Sequence, residues 1–143
     1  MFGKRKKAVD GAARLRGLAF FEGFSDDDLD RVAQLADDVE IEAGELLIDH
    51  GRVGQECYVI ESGQAEVFVG EEHLVTVGPG SMVGEMALVD RRPRTATVVA
   101  TTPMALLAFD TKAFQKLLSE MPKAEERVYS LLATRLKANL KAD

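Results

Sequence analysis

Between Val39 and Asp110 the chain is written as short β-branched and aromatic runs, VEI, ELLID, CYVIE, AEVFV, HLVTV, TATVVA and MALLAF. Gly44, Gly51, Gly54, Gly63, Gly70, Gly78 and Gly80 fall between them. Seven or eight strands at turn-like intervals predict a sandwich or barrel, with Ser62-Gly63 read as a tight hairpin turn. The expected core is a small antiparallel β-roll over about 39–110.

Helical patterns flank this core, which makes the fold class α+β. At FSDDDLDRVAQLA, Ser25 is placed to cap, Asp26 to Asp28 complement the helix dipole, and Phe24 and Leu29 are spaced as a hydrophobic staple. Leu29, Val32, Ala33 and Ala36 then recur at helical spacing. After the roll, DTKAFQKLLSE and PKAEERVYSLLATRLKANLKA read as two C-terminal helices over about 111–142, with Asp110 capping the first and Pro122 opening the second. The last carries Val128, Leu131, Leu132, Leu136 and Leu140 on one apolar face. Lys4 to Leu18 has helix-forming residues broken by Gly11. The expected organisation is a basic N-terminal helical segment, 1–18, and one domain, 19–143.

With 143 residues and 46% apolar content, the chain can bury one core and not two. The net charge of −6 is unevenly spread: residues 1–16 carry +5, which leaves −11 for residues 17–143, the difference between the two. An acidic body argues against nucleic acid as a partner, because neutralising phosphates needs a broad basic face. The basic N-terminal cluster, Lys4 to Lys7 with Phe2, offers two readings: contact with an anionic membrane, or a solvated end, the default for one short cluster. The single Cys57 cannot close an internal disulfide, no apolar stretch follows the N-terminal charges as in a signal peptide, and no window reaches the roughly 20 apolar residues of a span. A soluble, cytoplasmic protein is the expectation.

Enzyme chemistry finds little support. His50 and His73 stand 23 residues apart with no HxH or HExxH partner, so a metal site on the roll lacks its ligands. The serine of GSMVG at 80–84 is out of place for a nucleophile elbow. Cys57 lies in a β-run and reads as core.

One stretch departs from the acidic texture. Between Val32 and Thr111 fourteen carboxylates meet only four positive side chains, and three of these, Arg91, Arg92 and Arg94, sit in GEMALVDRRPRTATV, residues 84–98. Gly84 lets a ligand approach the backbone, and a helical turn through EMAL would leave the N–H groups of Glu85, Met86 and Ala87 free for an anion. Pro93 fixes the chain just before Arg94, whose guanidinium can take a phosphate bidentately. Glu85 suits sugar hydroxyls, and Thr95 can donate to a phosphate oxygen or a base edge. Arg91 and Arg92, at the loop tip, read as solvated charges.

This combination resembles the phosphate-binding cassette of the cyclic-nucleotide-binding domain family. GRVGQECYVIESGQAEV (51–67) is similar to that family's G-x-x-G-x-x-x-Y-x-I-x-x-G strand pair, and AGELLI and PGSMVGEMAL fit the flanking pattern; the likeness runs from about Leu18 to about Leu140. The resemblance implies that Arg94 neutralises the cyclic phosphate, Glu85 accepts from the ribose 2′-hydroxyl, and Gly84 with the amides of Glu85, Met86 and Ala87 completes the cradle. Thr95 takes the position that touches phosphate or purine. Val83 replaces the phenylalanine common before the Gly-Glu pair. Val67, Leu74, Met82 and Val83 are candidate apolar walls, and Arg135 or Asn139 on the final helix would reach the base.

The function implied is a receptor for cAMP or cGMP, with a lean toward cAMP, that needs no cofactor and is not an enzyme. With no output segment after the final helix, the sequence reads as a stand-alone sensor whose two C-terminal helices repack and are read by a separate effector protein. The final helix could also pair as a homodimer. The alternative is an interaction scaffold with a vestigial pocket.

Overall fold

The computed structural model describes residues 4–48, 56–85, 88 and 96–142, with the side chains of 136–142 excepted. Nine strands fall in two antiparallel sheets among the described residues. The first has the order β1 (Lys4–Lys7), β2 (Asp37–Ile41), β9 (Met104–Asp110), β4 (Glu56–Ser62) and β7 (Met82–Val83); the second runs β3 (Leu46–Ile48), β8 (Thr97–Ala100), β5 (Ala65–Val69) and β6 (Glu72–Val77). The β-runs of the sequence thus become strands within a residue or two.

Alternation along the central strands builds two cores. On one face of β9 and β4, Leu106, Ala108, Tyr58 and Ile60 meet Ala65, Val98 and Ala100 of the opposite sheet, forming the inside of the roll. On the other face Leu107, Phe109, Cys57 and Val59 pack under the helices, with Leu29, Phe114, Leu117 and Val128. β9 from Met104 to Phe109 and the centre of β4 from Cys57 to Ile60 are therefore apolar at successive positions, since both faces are covered there.

Helix α2 (Asp26–Leu35) starts as expected: the Ser25 hydroxyl accepts from the Asp28 N–H at 3.1 Å, and Phe24 and Leu29 are both buried. Helix α3 (Thr111–Glu120) is capped by Asp110, which accepts from the Ala113 N–H at 2.7 Å. Helix α4 (Pro122–Ala142) begins at the proline. Val128 and Leu132 of its apolar face are buried, and Leu131 packs beside them. Arg31 of α2 clasps Glu120 of α3 through Nε at 2.8 Å and Nη2 at 2.9 Å.

Two expectations are corrected. Ser62-Gly63 does not close a hairpin, because β4 and β5 belong to different sheets; the chain crosses there from one to the other, and the hairpin is β5–β6. Lys4 to Leu18 is not one helix either. Lys4–Lys7 is an edge strand, and only Gly11–Leu15 is helical, as α1. The strand forms because β2 supplies the opposite charges: Lys4 faces Glu40, Lys6 faces Asp38 and Lys7 faces Asp37. Gly11 is where α1 meets α2, since a Cβ there would stand 2.1 Å from the Leu29 carbonyl oxygen. Residues 4–18 are thus built into the sheet and the helical layer.

Arg14 fastens that segment down. Its guanidinium takes Asp38 at 3.0 and 2.8 Å, Glu61 at 3.2 and 2.7 Å, and the Val9 carbonyl at 2.9 Å. The hydrogen bonds to Asp38 and then Glu61 raise its pKa further above the usual guanidinium value.

Candidate functional site

The strand β7 is only two residues long, and its pairing sets the course of the chain beyond it. Val83 lies opposite Tyr58 and Met82 opposite Val59. By alternation Val83 faces the inside of the roll, while Met82 turns to the helix side. Gly84 then takes φ 90°, a backbone that a side chain would strain. This bend turns the chain out of the strand, and Glu85 and Leu88 have helical backbone.

Glu85 is fully buried, the more unusual of two buried acidic side chains among the described residues, as Asp38 keeps 9% exposure. Its Oε1 accepts from Nη1 of Arg135, and the same guanidinium donates from Nη2 to the Met82 carbonyl at 2.7 Å. Its Oε2 has no hydrogen-bond partner among the described residues. A carboxylate taken from water retains unmet acceptor capacity at a cost of order 1–3 kcal/mol for each missing bond, more when charged. Such a group is poised to accept from a donor that enters.

Arg135 reaches this carboxylate because the first half of α4 is held in place. Near the start of α4, Arg127 donates to the Phe20 and Glu22 carbonyls with its guanidinium 5.3 Å from the Phe24 ring centre, and Lys123 donates to the Gly23 carbonyl. Val128 and Leu132, one turn apart, are buried next. Arg135 falls three residues further on the same face.

Inside the roll, Val67 of β5 stands opposite Val98 of β8 and Val75 of β6, so the three share one face. Val67 packs on the interior core, yet Val75 is 49% exposed, as expected of a wall beside open space. The β5–β6 ladder shifts register between Val67 and Phe68, leaving Leu74 without a direct partner. The Phe68 and His73 rings meet at a tilt of 56°, with centres 5.3 Å apart.

The structure therefore brings Val83, Glu85 and Arg135 together and puts Val67 on the roll's inner face. Met82 instead packs in the helix-side core and contributes only its carbonyl. Leu74 sits at the register shift, and Val75 takes the place opposite Val67 in its stead. Met86, Ala87, Arg94 and Thr95 lie outside the described residues, as does the side chain of Asn139. Two features are not visible in the sequence: Val75, hidden by the bulge, and the direct bond from Arg135 to Glu85, which joins residues 50 positions apart.

The cyclic nucleotide-binding domain family matches residues 38–121. A cAMP-dependent protein kinase regulatory subunit of Blastocladiella emersonii is 33% identical over 114 residues, covering 76% of this chain and 28% of that protein. The chain thus spans under a third of this relative's length. Among solved structures, the Thermus thermophilus catabolite activator protein superposes with a TM-score of 0.76 at 28% identity, covering 87% of this chain and 62% of the other. A cAMP-binding acyltransferase from Mycobacterium smegmatis gives a TM-score of 0.70 at 31% identity, with 89% and 41% covered.

Proposed function

This chain belongs to the cyclic nucleotide-binding domain family, and we propose that it is a receptor for cAMP, in preference to cGMP, which signals through its C-terminal helix and is not itself an enzyme. The observation that carries the reading is Glu85: a fully buried carboxylate with one oxygen held by Arg135 and the other without a partner among the described residues. A ribose 2′-hydroxyl is a donor of the right kind for that second oxygen. Gly84, with its left-handed backbone, opens the approach to the amides of Glu85, Met86 and Ala87, where the cyclic phosphate would be cradled. Arg94 neutralises the phosphate, and Thr95 adds a hydroxyl donor. Val67, Val75 and Val83 supply an apolar wall. The names of the relatives support cAMP as the ligand.

The same carboxylate links binding to output. A hydroxyl donated to Oε2 draws charge from the carboxylate that holds Arg135, so occupancy and the position of the far half of α4 depend on one another. That is a ligand-driven population shift, read by a partner protein on the exposed side of the helix.

Isothermal titration with cAMP and then cGMP tests the reading, with Arg94→Ala as control. One cAMP per chain is expected, with the variant losing about 2–5 kcal/mol of affinity if the phosphate is buried against Arg94. The rival reading is a scaffold whose pocket Arg135 keeps closed, and it rests on the same Arg135–Glu85 pair. Absence of heat at millimolar cAMP, with native circular dichroism, would favour it.

A further inference from the structure

The edge strand β1 does more than lengthen the sheet. Arg5 lies opposite Val39, which faces the inside of the roll, and its side chain reaches past β2 and β9 to Glu56 on β4. There Nη1 donates to Oε2 at 2.7 Å and Nη2 to Oε1, while Asp37 stands 3.8 Å from Nη1. Glu56 Oε1 also accepts from the hydroxyl of Tyr58 at 3.2 Å. Tyr58 is 4% exposed and sits opposite Val83, the residue before Gly84 and Glu85. One run of contacts therefore joins the fifth residue of the chain to the strand that launches the buried carboxylate.

We propose that Arg5 is a positioning residue for the ligand cassette: by fixing Glu56, and through it Tyr58, the N-terminal strand sets the placement of Val83, Gly84 and Glu85. The electrostatics explain why an arginine is needed. Asp37, Glu56 and Asp110 crowd this end of the sheet, with Glu56 directly opposite Asp110, and Asp110 is committed to capping α3. Among the described residues Arg5 is the cation that pairs with the first two. Removing the fork takes two bonds from Glu56 while its acidic neighbours stay in place, which loosens the carboxylate that accepts from the Tyr58 hydroxyl. A lysine gives charge but not the two parallel bonds that hold Glu56 in one rotamer. Lys4, Lys6 and Lys7 are exposed and are not needed for this function.

The inference rests on reading Gly84–Glu85 as the ligand site, and the experiment separates the two. Amide hydrogen exchange without ligand is measured on the full chain as wild type, Arg5→Ala, Arg5→Lys, Tyr58→Phe and Arg14→Ala, followed by cAMP titration of each. In Arg5→Ala and Tyr58→Phe, exchange over residues 82–88 is expected to be about tenfold faster; Arg5→Lys should lie between, and Arg14→Ala should match wild type in this segment. Affinity for cAMP should fall in the same order. Faster exchange confined to residues 4–7 and 37–41 in Arg5→Ala would overturn the proposal and make β1 a local clasp. Should Arg5→Ala not fold, Tyr58→Phe decides alone, because it removes one hydroxyl and leaves β1 in place: wild-type exchange at 82–88 overturns the proposal. A wild type that ignores cAMP defeats the receptor reading, while the exchange result still stands or falls by itself.

Discussion

Arg14 and Arg135 each clamp a carboxylate against the same sheet, yet the two clusters are finished differently. Arg14 meets two carboxylates and a carbonyl, so that donors and acceptors are matched along the seam between α1 and the sheet. Arg135 meets one oxygen of a fully buried carboxylate and leaves the other without a partner among the described residues. A saturated cluster has nothing to gain from a visitor. An unsaturated one keeps a free-energy deficit that a ligand can remove, and this is why the second cluster is the one we propose as the ligand site.

Substitutions break or sharpen that contrast. The largest effect on stability is expected from Arg14→Ala, which strands Asp38 and Glu61: about 2–3 kcal/mol in chemical denaturation, with unchanged ligand affinity. Smaller in stability but decisive in binding is Glu85→Gln. It keeps the shape and removes the charge, so cAMP affinity should fall about 10- to 100-fold, or about 1.4–2.7 kcal/mol, while the denaturation midpoint moves little. A midpoint shift as large as that of Arg14→Ala would make Glu85 a structural residue. The smallest effect belongs to the exposed Arg31–Glu120 pair. Hydrogen bonding to Arg31 lowers the Glu120 pKa below the ordinary carboxylate range, so its contribution is present above that range and is lost as pH falls through the depressed pKa. Solvent screening makes it slight. Melting curves of wild type and Arg31→Ala should therefore differ marginally at neutral pH and converge in acid.

The parts of the fold legible in sequence are those written locally. Ser25, Asp110 and Pro122 announce helix starts within a few residues of themselves, and the glycine-bounded runs announce strands. What escapes depends on partners far along the chain. KRKK has no local reason to be a strand; it becomes one because Asp37, Asp38 and Glu40 are brought beside it. Ser62-Gly63 has the residues of a hairpin, but only the sheet assignments of β4 and β5 reveal a crossing. At the site, Gly84 and Glu85 can be singled out from their neighbours in sequence. The facing of Met82 requires the β4–β7 register, and the inward turn of Val75 requires the slip at Leu74. Arg135 reads in sequence as a residue for the base, with nothing nearby to connect it to Glu85.

The way α4 is fastened has a mechanical consequence. Lys123 and Arg127 bolt its first turns to the carbonyls of Phe20, Glu22 and Gly23, and Val128 is buried just beyond. The helix is thus a lever with its fulcrum near one end. At 1.5 Å rise per residue, a tilt of about 10° about Val128 displaces Leu132 by about 1 Å but Ala142 by about 4 Å. On the receptor reading proposed above, a small adjustment beside Glu85 would be amplified toward the tip, so an effector gripping the last turns would receive a larger stroke than one resting against Glu125.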